Sequence, residues 1–282
     1  MDNIAIFPNL EKDPKLEFTR KTAEEIHKYG KKILLSKELE HSKISYAEYL
    51  EKDGLLKKAE LIVALGGDGT ILNAAKDASE YSIPVMGINI GHLGFLSQAE
   101  KGDLSVFPLV FSGNFKICES KLLEVGIYRG DELLSSHLAF NDAVIRGADS
   151  KMVTLSLTAD NTLMNEYAAD GVVFSTANGS TAYTISAGGP VIHPDLNCIV
   201  ITPICPHSLT VRSLVVPPDK AISAKTVPPY RCEAVLTADG KRVAVLEKNQ
   251  HVTVKLSKKT TKLLKLETRN FFDVIREKLN FR

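Results

Sequence analysis

The segment AELIVALGGDGTILNAAKDAS, Ala59 to Ser79, constrains the fold more than any other. An unbroken apolar run that stops at glycines and passes into a helical pattern describes a strand buried on both faces and the helix that follows it. The same texture fills the chain up to about Leu104: NIAIF, a helical stretch after Asp13-Pro14, then KKILLS, ELIVAL and IPVMGI. Such alternation predicts a parallel sheet covered by helices. The first helix is punctuated by Asp13 as N-cap, Pro14 at the first helical position and Gly30 as a left-handed end.

After Leu104 the pattern changes to period two, in KLLEVGIYRG, ELLSSHLAF, MVTLSLTADNTLM and CEAVLTADGKRVAVL, which reads as antiparallel β. ADNT at Ala159 to Thr162 and ADGK at Ala238 to Lys241 read as hairpin turns, the second the stronger because Asp-Gly tolerates positive φ. At the C-terminus Phe271, Phe272, Ile275 and Leu279 recur at helical spacing. The expected organisation is an α/β domain over 1–104 carrying the GGDGT loop, a β-rich domain over 105–268, and a helix over 269–282 packing back on the body.

Composition fits that division. A chain of 282 residues exceeds what a single core usually holds. Hydrophobic content of 44% with 24% charged residues is that of a globular protein, without the run of ~18 apolar residues that a membrane span needs. The net charge of +1 supplies no broad field for nucleic acid or anionic lipid, so neither is an expected partner and any anionic ligand needs a local site. MDNIAIFPNL lacks a basic stretch followed by an apolar one, which makes the cytoplasm the expected compartment. Cys118, Cys198, Cys205 and Cys232 lie far apart without a C-x-x-C pair, and are read as buried thiols rather than metal ligands.

Four stretches gather groups that packing does not require. In Gly66-Gly67-Asp68-Gly69-Thr70 a strand end meets a helix start, where backbone N–H groups can receive phosphate. Asp68 would repel phosphate, so it reads as a metal ligand or as the acceptor of a proton from a hydroxyl about to be phosphorylated; the plain alternative is a Gly-Asp-Gly bend. The loop has no lysine of the Walker A type. GINIGHLGFLS, Gly87 to Ser97, is a second glycine-rich loop at the same carboxyl edge, with Phe95 placed either to cover a planar ring or to fill the core. In AFNDAVI the adjacent Asn141 and Asp142 break an apolar strand pattern, as a ribose site or as a turn or bulge. DGVVFSTANGSTAYTISAGGPVIHP, Asp170 to Pro194, crowds Thr176, Asn178, Ser180 and Thr181 among glycines, as a polar ligand lying along the backbone would use them.

Taken in order, GGDGT, GINIGHLGFL, FNDAV and DGVVFSTANGSTAYTISAGGP resemble the bacterial NAD kinases over most of the chain. Diacylglycerol and sphingosine kinases carry a similar glycine-aspartate loop; GSTAY followed by SAGGP makes the match specific, and its polar density argues against an acyl-chain cavity. Asp68 also argues against a non-catalytic nucleotide-binding regulator. The resemblance implies a Rossmann-like N-terminal domain, an all-β C-terminal domain that binds NAD, and a homodimer or homotetramer. It implies transfer of the γ-phosphoryl group of ATP, or of inorganic polyphosphate, to the 2′-hydroxyl of the adenosine ribose of NAD. Carried over by motif, Asp68 is the catalytic base, flanked by Gly67, Gly69 and Thr70; Asn141 and Asp142 hold the ribose region and Phe95 lies by the adenine. Asp170, Thr181, Ala182, Tyr183 and Ser186 bind the two ends of the dinucleotide, and His207 is a candidate contact; His92 and His193 are read as structural.

The chain departs from the family pattern at two places. S-T-A-N-G-S-T-A-Y replaces the usual S-T-P-[ST]-G-S-T-A-Y, so Asn178 stands ready to offer a donor and an acceptor to an adenine edge. Ser213 follows Arg212 where proline is common. No dedicated set of metal ligands is visible, and the expected cofactor is Mg²⁺ or another divalent ion carried with ATP.

Overall fold

In the structure, a computed structural model that describes residues 1–44, 46–91, 94–100, 103–267 and 270–279, the chain divides into two compact units. Unit 1 comprises Met1–Glu119 with Thr260–Arg282, and unit 2 is Ser120–Lys259.

Unit 1 opens with β1 (Asn3–Pro8), α1 (Glu17–Lys28), β2 (Lys32–Ser36), a 3₁₀ turn (Lys37–Ser42), β3 (Ala47–Leu50), α2 (Lys52–Lys58) and β4 (Leu61–Gly66). There follow α3 (Asp68–Ser79), β5 (Pro84–Asn89), β6 (Ser97–Glu100) and α4 (Val106–Phe111). The strands pair in parallel in the order β3-β2-β1-β4-β5, with β6 also on β5. All six residues of β4 are buried, as both faces of a parallel strand are, and each fully buried Ile or Leu contributes roughly 1.5–3 kcal/mol. Chain order reverses between β1 and β4, and the loops leaving their carboxyl ends carry residues 9–12 and 67–70. Crevices at such switch points are where open α/β sheets bind ligands.

The first helix starts later than its punctuation implied. Leu16, left-handed at φ 55°, precedes it, and Asp13 instead reaches forward to accept the N–H groups of Phe18 (3.2 Å) and Thr19 (2.8 Å). The carboxylate still serves unpaired helical donors, across a turn that Pro14 begins. Gly30, at φ 72°, ends the helix as expected.

Unit 2 is built from β7 (Lys116–Arg129), β8 (Glu132–Ala139), β9 (Asp142–Gly147), β10 (Val153–Ala159), β11 (Thr162–Ala169) and β12 (Gly171–Ser175). It continues with a short α5 (Tyr183–Ser186), β13 (Ile199–Ile204), β14 (Leu214–Val216), β15 (Ile222–Thr226), β16 (Ala234–Ala238), β17 (Lys241–Leu246) and β18 (Gln250–Lys265). One sheet runs β14-β13-β12-β9-β16-β17; the other contains β11-β10-β15-β18 with β7 and β8. Their inward residues, among them Leu123, Ile145, Leu155, Phe174, Ile201, Leu236 and Val252, form one core. Both expected hairpins are present, with positive φ at Asp160, Asn161, Asp239 and Gly240, as a two-residue turn requires.

The compact units and the sequence-based division separate the chain at different points. Antiparallel texture begins at β7, after α4, and β18 leaves unit 2 at Lys259 to pair its last residues with β5 in parallel. A final helix, α6 (Phe271–Leu279), is present; Ile275 is buried, but Phe272 is 66% exposed and stands off the apolar stripe expected to dock. Of the cysteines, Cys198 is buried, Cys118 and Cys232 are half-buried and Cys205 is exposed, so the expectation of buried thiols holds for one of the four. Among the described residues no helix is long and apolar enough to cross a membrane.

Candidate functional site

The GGDGT station lies at the switch point of unit 1. β4 ends at Gly66, Gly67 is extended, and Asp68 is the first residue of α3. The Asp68 side chain does not cap its own helix. It turns to the loop after β5, where its carboxylate accepts the N–H groups of Phe95 (2.9 Å) and Leu96 (3.2 Å). Gly94 makes that approach feasible, because a Cβ there would overlap the Asp68 carboxylate. Each carboxylate oxygen retains lone-pair capacity for a further donor, so Asp68 is oriented without being saturated.

Neighbouring groups complete this cluster in unit 1. The Thr70 hydroxyl accepts a hydrogen bond from the Asn9 amide (3.0 Å), while Asn9 Oδ1 accepts the N–H groups of Glu11 (3.0 Å) and Lys12 (3.1 Å). This ordered turn places Lys12 Nζ 3.0 Å from where a Cβ of Gly67 would stand. Gly69 has open space around it. Phe95 is half-buried rather than part of the core. The Thr70 N–H donates to the Gly67 carbonyl (2.9 Å), and the opening N–H groups of a helix, here those of Asp68 and Gly69, lack an intrahelical acceptor. His92 lies outside the described residues.

A separate cluster lies in unit 2. Asn141 and Asp142 do not interrupt a strand; they occupy the junction between β8 and β9. The turn residue Asp239 holds that junction: its carboxylate accepts the N–H groups of Phe140 (2.9 Å), Asn141 (2.8 Å) and Asp142 (3.3 Å). Asp142 is 6% exposed. Burial, and then the negative charge of Asp239, push its carboxyl from 3.8 up to about 6, against the opposing effect of a hydrogen bond from the Tyr183 backbone. The buried loop Thr176 to Ser180 packs beneath: the Thr176 N–H donates to Asn141 O (2.9 Å), and its hydroxyl to Phe140 O (2.8 Å). A Cβ at Gly179 would overlap the Asn141 carbonyl.

The hydroxyl-rich station therefore divides in two. Thr176 and Ser180 are spent on the backbone, the latter donating to Ala177 O (2.7 Å) and accepting from Ile192 N–H (3.0 Å). Packing thus does require these two, contrary to the expectation that a ligand would use the whole set. Asn178, Thr181 and Ala182 are half-buried and Tyr183 and Ser186 exposed, with the Thr181 hydroxyl donating to Asn178 O (3.1 Å). Asp170 and Tyr183 meet at a small cavity of about 100 Å³, shared with Arg146 and Lys151. His207 is exposed and its N–H donates to Ala168 O (2.9 Å), two residues before Asp170. His193 Nδ1 accepts the Asp195 N–H (3.3 Å), in keeping with a structural role.

Sequence reasoning missed Asn9, Lys12 and the clasp by Asp239. The Asp-Gly turn was visible, but a carboxylate that serves backbone groups some hundred positions earlier leaves no local pattern. Among the described residues no group of three or more His, Cys, Asp or Glu side chains gathers as a metal site.

Comparison with known proteins accounts for both domains. Residues 6–105 match the ATP-NAD kinase N-terminal domain and residues 141–266 the ATP-NAD kinase C-terminal domain. The chain is 35% identical over 285 residues to the NAD kinase of Thermoanaerobacter sp. (strain X514), covering 100% of each, and 40% identical over 225 residues to that of Symbiobacterium thermophilum, covering 79% of each. In structure it resembles yeast NADH kinase complexed with NADH, with a TM-score of 0.90 and 25% identity over 100% of this chain and 88% of that one. An NAD kinase from Archaeoglobus fulgidus in complex with ATP shares the fold at a TM-score of 0.71 and 22% identity, over 99% and 98%. With both domain models matched in order and full-length relatives above 30% identity, the chain belongs to the NAD kinase family and is a phosphotransferase that acts on NAD.

Proposed function

We propose that Asp68 is the general base that draws the proton from the 2′-hydroxyl of NAD's adenosine ribose as that oxygen attacks the terminal phosphorus of ATP. The O–H bond and the bond from the γ-phosphorus to the bridging oxygen break, a new P–O bond forms, the proton passes to Asp68, and NADP and ADP leave. The observation that carries this reading is the hold on Asp68, the first residue of α3: both its oxygens are fixed by the N–H groups of Phe95 and Leu96 from the loop after β5, with lone pairs left over. A positioned base supplies about 10²–10⁴-fold; alignment and charge stabilisation supply the remainder.

In this reading Asn141 and Asp142 hold the ribose region, Phe95 covers the adenine, and Asn178 meets an adenine edge. Asp170, Thr181, Ala182, Tyr183 and Ser186 bind the ends of the dinucleotide, with His207 nearby. The domain scheme follows function, with the α/β portion supplying the base and the β-rich portion the NAD contacts. Mg²⁺ arrives on ATP, since phosphate oxygens are hard ligands and Asp68 is a lone carboxylate in its loop. The working assembly is a homodimer or homotetramer, and inorganic polyphosphate is a second candidate donor. Support comes from the placement of Asp68 at the switch point and from the domain matches.

The test is an enzyme-coupled assay for NADP with purified protein, NAD, ATP and Mg²⁺, beside a diacylglycerol control, with phosphorus NMR locating the new ester. NADP phosphorylated at the 2′ position is expected. Phosphorylated lipid, or no NADP with either donor, overturns the reading.

A further inference from the structure

In unit 2 the Asn141–Asp142 junction belongs to the sheet that runs β14-β13-β12-β9-β16-β17; the other sheet carries a cavity of its own, of about 580 Å³. Leu155, Leu157, Ile222, Ala224, Val252 and Val254 of β10, β15 and β18 turn into the core, so the residues between them face outward. The register sets those residues in two rows. Ser156 pairs with Lys225 and Lys225 with His251; Thr158 pairs with Ser223 and Ser223 with Thr253. Both rows line the cavity, together with Asp131 from the β7–β8 turn and Asp160 and Asn161 from the β10–β11 turn. We propose that this cavity binds a small sugar phosphate, with the phosphate on Ser156, Lys225 and His251 and the sugar hydroxyls on the second row and Asp131.

The first row supplies the main support. An outward sheet face ordinarily meets water, yet Ser156 is only 5% exposed, and its hydroxyl has no hydrogen-bond partner among the described residues. Buried hydroxyls are normally paired, so this one is placed to meet a group that enters the cavity. Beside it Lys225 has neither an ion pair nor a hydrogen bond among the described residues, whereas Lys220 is held by Asp160 at 2.6 Å. His251 stacks on Tyr128 with ring centroids 5.3 Å apart, which fixes the imidazole plane, and among the described residues its nitrogens have no partner. An ammonium, a hydroxyl and an imidazole in one row suit phosphate, whose oxygens accept charge-assisted hydrogen bonds.

The remaining groups define what the phosphate is attached to. The volume lies within the range of small-molecule sites. Among the described residues Ala221 is the only apolar one in the lining, which leaves no wall for a nucleobase or an acyl chain. Hydroxyls donate and accept as sugar hydroxyls do, and Asp131 offers a further acceptor. With Asp160 neutralised by Lys220, one free acid and one free ammonium line the space, a balance that argues against a polyphosphate.

The experiment is calorimetric titration of the full chain, free and saturated with NAD, with ribose 5-phosphate, ribose and inorganic phosphate as probes. Ribose 5-phosphate is expected to bind with a Kd below ~1 mM, with or without NAD, and at least tenfold more tightly than either of the other probes. Lys225→Met, at an exposed position, is expected to weaken it at least tenfold, and Ser156→Ala and His251→Phe severalfold, the latter keeping a ring against Tyr128. NAD affinity should stay within twofold of wild type in all three. If Ser156→Ala does not fold, Lys225→Met and His251→Phe decide the matter. Failure of ribose 5-phosphate to bind, its displacement by NAD, inorganic phosphate binding as tightly, or unchanged affinity in Lys225→Met overturns the proposal.

Discussion

Gly94 and Asp68 share a space that admits only one side chain: a Cβ on Gly94 would overlap the Asp68 carboxylate. Gly94→Ala is therefore expected to displace Asp68 while leaving the strands of unit 1 in place. A displacement on the ångström scale costs about 10²-fold in kcat. Steady-state assays with circular dichroism as a fold control check this; kcat within threefold of wild type would show that the carboxylate tolerates displacement.

Asp68→Asn tests the base itself. An amide has one acceptor oxygen, so either the Phe95 or the Leu96 N–H loses its partner and meets an NH₂ group. Turnover is expected to fall by at least ~10²-fold, with the dissociation constant for NAD within a few-fold of wild type. Full activity in this variant would remove Asp68 from the mechanism.

Asp239→Ala deprives three backbone donors of their acceptor at once. With hydrogen bonds to charged groups at ~1.5–3 kcal/mol each and some recovery through water, a net loss of about 3 kcal/mol is expected. NAD affinity should fall as well, because the Asn141–Asp142 junction loosens. Urea denaturation and NAD titration measure the two effects, and a loss below 1 kcal/mol would mean the junction holds without its clasp.

The pH profile of stability follows from Asp142. Its carboxyl titrates near 6 in the fold against 3.8 ordinarily, so the native state binds the proton more tightly than the unfolded chain does. That contribution is complete below about pH 4 and is lost as pH rises through 6, amounting to about 3 kcal/mol. Asp142→Asn is expected to flatten this slope, matching wild type near pH 4 and exceeding its stability at pH 7.5. Unfolding free energies across that range decide; parallel profiles for the two proteins would show that Asp142 does not carry the slope.

Asn178→Ala is expected to weaken NAD more than ATP, since Asn178 belongs to the loop packed under Asn141 and not to the GGDGT loop. Equal losses, measured by titration with each nucleotide, would place Asn178 elsewhere in the site.

The sequence made the elements legible where one physical requirement acts locally. Apolar runs ending in glycine marked β4 and β5, and Asp-Asn and Asp-Gly marked the two hairpins. What stayed hidden depends on distance along the chain. Asp13 reads as an N-cap because capping is defined over three residues, yet it bonds to residues five and six positions on. Thr176 and Ser180 look like ligand groups until the carbonyls that take their protons are located. Asn9 and Lys12 acquire meaning only when β1 is set beside β4, which periodicity does not reveal.

The path of β18 has a consequence for how the molecule is made. Residues 262 and 263 pair with β5 in unit 1, although the whole of unit 2 lies between them in the chain. On the ribosome, the sandwich strands emerge before the parallel sheet can gain this strand. The last edge contact of the α/β layer thus awaits late synthesis, and a nascent chain stopped near residue 255 would carry β5 without that neighbour, at the stage when unpaired strand edges are most prone to wrong association.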